Sequence, residues 1–242
     1  MKNEFLLNAM ADIDETYIRE AAQPPKMRKR KLPWKILVAA ALIPLLTVTA
    51  FAADVLNIRT LVSGMTHYTS SQFSDMDKAM EKAGFQMDVK ESFQNGFAFE
   101  KVYVEDTRGL DENDREVLKY REVQENYRNA DGLRLCLFAQ PDVEGVADSE
   151  SPVAQTAQIG GVTVTYYHDH YKFVPANYEL SEAEKQWEAI PGNYISYGSE
   201  AVKDTDVAFL CWEKDGVRYT IMDSGAKVTP QTLFAMAKEL ME

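Results

Sequence analysis

Thiols and imidazoles are scarce in this chain: two cysteines and three histidines stand among 242 residues. Cys136 and Cys211 are 75 positions apart, and the missing C-x-x-C spacing argues against a dithiol redox centre. Basic charge is also in deficit. Against 38 Asp and Glu there are 26 Lys and Arg, a net charge of −12, which repels nucleic acid. G-x-S-x-G, a phosphate-cradling glycine loop, H-E-x-x-H and a calcium-loop pattern are all missing. The sequence therefore assigns no catalytic residue, no cofactor and no metal ligand, and a non-enzymatic protein is expected.

What is present is one long apolar run. Residues Ile36 to Ala53 carry no charge over eighteen positions and follow the basic cluster Lys26, Arg28, Lys29, Arg30, Lys31 and Lys35. As a helix such a run reaches roughly 27 Å against a hydrocarbon thickness of ~30 Å. Residues 36–53 are accordingly expected to be a transmembrane helix anchored by Trp34, Lys35, Ile36, Leu46 and Phe51, with Trp34 at the inner interface. Lys and Arg beside a span stay cytoplasmic. Residues 1–35 hold eight Lys/Arg and five Asp/Glu, whereas residues 54–242 hold eighteen and thirty-three, a net of −15. The amino end is expected inside, and a large acidic domain outside. Ala50-Phe51-Ala52 also fits a signal-peptidase pattern, but thirty-five preceding residues exceed a signal peptide's usual lead. Retention in the lipid bilayer is preferred.

In the cytoplasmic segment 1–35, Phe5, Met10, Ile13 and Tyr17 recur at helical spacing, with acids on other faces. They form a candidate stripe for docking a partner protein. Pro24-Pro25 ends that helix. Residues 54–73 read as a juxtamembrane connector and residues 74–242 as one extracellular domain, large enough to bury a core.

Within that domain Ser74 and Gly84 bracket a helix over Asp75 to Ala83. Met87 to Phe93 and Phe97 to Glu105 read as strands around the Asn95-Gly96 turn. Glu116 to Tyr127 fits either a helix face or a strand, and the hairpin signal Asn129 to Gly132 before Leu133 to Ala139 selects strand. Pro141 to Gln158 reads as a surface loop. Further strands are expected at Val162 to Tyr167, Tyr171 to Val174, Tyr194 to Tyr197, Val207 to Trp212 and Val217 to Met222, the last two joined through Asp215-Gly216. Ser181 and Glu184 make a capping box for a short helix. Thr229-Pro230 opens a final helix whose apolar face, Leu233, Phe234, Met236, Ala237 and Leu240, suits a sheet. The expected class is α+β: a cytoplasmic amphipathic helix, one transmembrane helix, and an extracellular antiparallel sheet covered by the carboxy-terminal helix.

The runs Gly96 to Val104, Tyr171 to Pro175 with Tyr178 to Leu180, Tyr194 to Ser199, and the Trp212 to Gly216 hairpin followed by a helix together resemble an uncharacterised family. Its members are similar to single-pass envelope proteins of Gram-positive, mainly clostridial, bacteria, with an extracellular domain of unknown function. Ala11 to Ala21 resembles the cytoplasmic start of membrane proteins that accompany extracytoplasmic-function sigma factors. That resemblance implies an anti-sigma-type signalling role and a sigma factor as cytoplasmic partner. The extracellular part is distantly similar to lipoprotein-carrier-like sheets. No catalytic residue is carried over.

His168-Asp169-His170 is the most metal-like triplet. On a strand both imidazoles share a face, but no second cluster in sequence completes a ligand set, so a polar turn between Tyr167 and Tyr171 is preferred. For Cys136 and Cys211 a disulfide and two separate buried thiols both fit, with the thiols favoured. The acidic runs Asp111 to Asp114 and Glu144 to Glu150 read as solvated loops rather than Ca²⁺ sites. Tyr166, Tyr167, Tyr171, Tyr178, Tyr194 and Tyr197 either line a groove for sugar or peptide or serve as core and cross-strand pairs. The resulting expectation is a sensing or binding domain with an unidentified extracellular ligand. The alternatives are a structural envelope protein with a merely topogenic amino terminus, and a surface hydrolase.

Overall fold

The computed structural model describes residues 60–111, 113, 115–143 and 151–242, with side chains from residue 66 onward. The transmembrane segment 36–53, the docking stripe Phe5, Met10, Ile13 and Tyr17, and the anchors Trp34, Lys35, Ile36, Leu46 and Phe51 lie outside the described residues. Among those described, no helix is long and apolar enough to cross a membrane.

The described chain is α+β, with one nine-stranded sheet. Its strands are β1 (Thr60–Ser70), β2 (Ala98–Leu110), β3 (Glu116–Arg128), β4 (Arg134–Pro141), β5 (Val153–Ile159), β6 (Val162–Val174), β7 (Asn193–Tyr197), β8 (Lys203–Lys214) and β9 (Val217–Ser224). The spatial order is β1-β2-β3-β4-β9-β8-β6-β5, and β7 also pairs with β6. Three helices accompany it: α1 (Met76–Ala83), α2 (Glu182–Glu188) and α3 (Pro230–Met241).

Strand alternation divides the side chains between two faces. Val102, Val104, Val123, Leu135, Leu137, Leu210 and Ile221 form one core with Met76, Ala79 and Met80 of α1 and Leu233, Met236, Ala237 and Leu240 of α3. Trp212 lies across from Tyr219 and stacks on it, ring centroids 5.1 Å apart. On the other face Phe138, Val207 and Met222 form a smaller apolar cluster with Cys136, Tyr171 and Phe209. The last helix thus covers the sheet as its apolar stripe requires. Its Thr229 hydroxyl accepts the Thr232 N–H, and Pro230 occupies the first turn, where its missing donor costs nothing.

Several sequence expectations are corrected. Residues 60–70 of the supposed connector form β1, paired with β2. Met87 to Phe93 is not a strand; it makes the lone bridge Ser92 to Ala98, and several of its backbone groups bond side chains. The Asp88 N–H donates to the Tyr219 hydroxyl at 2.9 Å, and the Lys90 carbonyl accepts from Tyr127 at 2.8 Å. The supposed loop 141–158 contains β5, an exposed edge strand that needs no apolar alternation because β6 supplies its hydrogen bonds. The helix cap at Ser74 is displaced: a 3-10 turn, Phe73–Asp75, precedes α1. Gly84 does end that helix in the left-handed region, with φ 87°. The sheet is not wholly antiparallel either, since β6 and β7 run parallel, connected through α2.

No disulfide joins Cys136 and Cys211. They sit on β4 and β8, the two neighbours of β9, opposite Met222 and Thr220. Two strand spacings amount to about 9.6 Å, beyond the reach of a disulfide.

Candidate functional site

The polar turn expected at His168-Asp169-His170 is instead the middle of β6, a correction with a clear cause. The β8 ladder pairs His168 with Ala208, Asp169 with Val207 and His170 with Asp206, while on the other side the His170 N–H donates to the Gly192 carbonyl at 2.8 Å. Local polarity does not break a strand whose backbone groups find partners in the segments beside it. Alternation then sends the two histidines to one face and Asp169 to the other.

On the histidine face, His170 Nδ1 lies 2.5 Å from Asp206 Oδ1 and His168 Nε2 lies 3.9 Å from Asp206 Oδ2. The imidazole centroids are 5.4 Å apart. All three side chains are exposed. Two residues further along, Lys172 Nζ stands 3.4 Å from both Glu184 and Asp204. Glu184 comes from the first turn of α2, where it completes the capping box with Ser181 and accepts the Tyr178 hydroxyl at 2.9 Å. The Ser181 N–H and hydroxyl hold its carboxyl down at about 2. An open groove of about 430 Å³ separates α2 from β6 and β8, walled by Trp187, Lys172 and Glu184 and floored at one end by His170 and Asp206.

Asp169, on the opposite face, is buried and accepts the Ser151 hydroxyl at 2.8 Å, while Ser151 lies 2.8 Å from the Tyr194 hydroxyl. Burial pushes the Asp169 carboxyl up. Because alternation puts both neighbouring imidazoles across the sheet, neither serves as a base for Ser151, and a Ser-His-Asp arrangement is not built here.

The tyrosines do not share one groove. Tyr171 stacks on Tyr194 at 5.1 Å, Tyr178 braces Glu184, and Tyr166 and Tyr167 are buried on opposite faces of β6. Asp111 is occupied by the N–H groups of Asn113 and Arg115 at 2.8 and 2.9 Å, a local turn rather than a cation site.

A second charged centre escaped the sequence reading. Asp106 of β2 meets His67 at 2.8 Å, Lys119 at 3.2 Å and Arg121 at 3.5 Å. The His67 hydrogen bond, helped by Lys119, holds its carboxyl down at about 2 although desolvation opposes this. These residues come from three strands, so only the β1–β2–β3 register brings them together; as a compensated network it ties the sheet edge.

The cap of α2 yields a prediction. Ser181→Ala removes the hydroxyl that the Glu184 N–H uses and should cost about 1 kcal/mol. Faster amide exchange across residues 182–188, with exchange on β8 unchanged, is the expected readout.

No family model, curated protein or solved structure matches this chain. The class that the fold defines is structural: an α+β domain with a helix-covered sheet and an imidazole–carboxylate cluster at the mouth of a groove.

Proposed function

We propose that this chain is a non-catalytic single-pass membrane protein of the cell envelope, with an extracellular sensing or binding domain and a cytoplasmic docking segment. The observation that carries the reading is the uncharged run 36–53, preceded by six basic residues and followed by a region of net charge −15. In this reading residues 1–35 stay inside and offer Phe5, Met10, Ile13 and Tyr17 to a partner, a sigma factor being the one that the resemblance implies. Residues 54–242 face outward as the acidic body, and the groove between α2, β6 and β8 is where a ligand enters. The groove supports a binding role because Lys172, Trp187 and the His170–Asp206 pair converge on it from three elements. A structural or ligand-binding envelope protein with a purely topogenic amino terminus is the second reading, since the groove makes no demand on residues 1–35.

One measurement tests the topology that both readings share, and a second separates them. Protease added to intact protoplasts should digest the carboxy-terminal body and spare an amino-terminal fragment; full protection of the body, or a mature chain beginning at Ala53, would defeat the membrane topology. Deleting residues 3–21 should abolish partner capture and signalling while leaving export intact. Unchanged signalling after that deletion selects the topogenic reading.

A further inference from the structure

We infer that His168, His170 and Asp206 constitute a site for a borderline divalent transition ion, with Zn²⁺ as the reference case. Two imidazole nitrogens and a carboxylate oxygen lie within 4.8 Å of one another. Ligands bonded at about 2.0–2.1 Å around a tetrahedral ion stand roughly 3.4 Å apart. His170 lies 2.5 Å from Asp206 Oδ1 and His168 3.9 Å from Oδ2, the other oxygen of the same carboxyl, so side-chain rotation that brings both imidazoles about one of these oxygens admits the ion. Such rotation is unhindered, because the three side chains are 41, 55 and 50 % exposed. The backbone beneath them is fixed by the β6–β8 ladder, which sets His170 directly across from Asp206 and His168 two residues away on the same face.

The donor set chooses the ion. Imidazole with one carboxylate suits Zn²⁺, Ni²⁺ or Cu²⁺, whereas Ca²⁺ and Mg²⁺ demand oxygen ligands. Three protein ligands leave at least one coordination position open, as exchangeable rather than structural zinc sites do. His170 and Asp206 also line the groove, so that open position borders it, available to water or an anionic ligand group. The inference needs only the described fold and holds whichever side of a membrane this domain occupies.

The test uses the full chain without an affinity tag, purified in detergent, stripped with chelator and titrated with Zn²⁺ against a chromophoric competitor. One Zn²⁺ per chain is expected. His168→Ala, His170→Ala and Asp206→Asn should each weaken binding by at least about tenfold. His67→Gln, which alters the imidazole bound to Asp106, should leave it unchanged. Magnesium should not compete. Histidine ring-proton resonances of the unaltered chain give a readout independent of variant folding: Zn²⁺ should move two of the three and spare His67. Absence of saturable binding, affinity in the three variants unchanged from that of the unaltered chain, or a shift confined to His67 would each overturn the site.

Discussion

Replacing Glu125 with glutamine should make the protein more stable at pH 8 and remove part of its pH dependence. Glu125 faces the core between Val102 and Leu137 on the neighbouring strands and is fully buried. One of its oxygens meets the Tyr127 hydroxyl, which lies 2.8 Å from the Lys90 carbonyl; the other has no hydrogen-bond partner. Burial pushes this carboxyl up to about 8, against the opposing pull of Tyr127. A neutral acid can donate to Tyr127 while Tyr127 donates to Lys90; a carboxylate there would be a desolvated charge facing apolar side chains. The folded state therefore holds a proton that the unfolded chain releases near pH 4.3. Stability from this group is full below that value, declines as pH rises, and is lost through about pH 8.

Glutamine keeps the shape without the ionisation, so the variant should gain a few kcal/mol at pH 8 and little at pH 4.5. Glu122, which is only half-buried, adds a smaller contribution of the same sign, raised by desolvation and then by its cross-strand partner Glu105. The single variant should thus retain a shallower slope, and the Glu122→Gln, Glu125→Gln pair should be shallower still between pH 5 and 8. Thermal unfolding followed by tryptophan fluorescence, where Trp212 reports the core, measures this. An unaltered slope in the pair would show that neither carboxyl is neutral in the fold.

Truncating Leu233 to alanine should cost about 2–5 kcal/mol. Leu233 is fully buried on α3, in the core shared with the sheet, and closing the cavity would require the helix to settle onto strands already fixed by their ladders. Two positions on the same helix calibrate the effect. Phe234 is only partly buried, so its truncation should cost less. Lys238 is exposed and, among the described residues, pairs with Glu242 at 3.6 Å, so Lys238→Ala should change stability by less than about 0.5 kcal/mol. Denaturant midpoints for the three variants give the order directly; equal losses at Leu233 and Lys238 would mean that α3 does not seal the sheet.

The elements read correctly are those whose signals are local. Asp215-Gly216 adopts the paired left-handed turn, with φ 53° and 73°, because that is the twist a two-residue hairpin needs. Ser181 and Glu184 form their box three residues apart, and the apolar stripe of α3 faces the core. Failures arose where distant partners decide. Met87 to Phe93 looks β-rich, yet Tyr219 and Tyr127 take hydrogen bonds that a ladder would have used. His168 to His170 looks like a turn, yet β8 makes it a strand. The candidate site suffered the same blindness, since Asp206 is 36 positions beyond His170 and nothing near it in sequence marks it as a partner.

By itself the sequence determined the charge division, the apolar run, the caps at Ser181 and Thr229, the Asp215-Gly216 turn and the α+β class, because each depends on a few neighbouring residues and on backbone preferences that act over one turn or one hairpin. Only the tertiary structure decided which carboxylates are buried, which thiols are separated by β9, and which carboxylate completes the two histidines. Those outcomes follow from strand order and register, and register is set by the summed burial of whole strands, a quantity that no short stretch of residues contains.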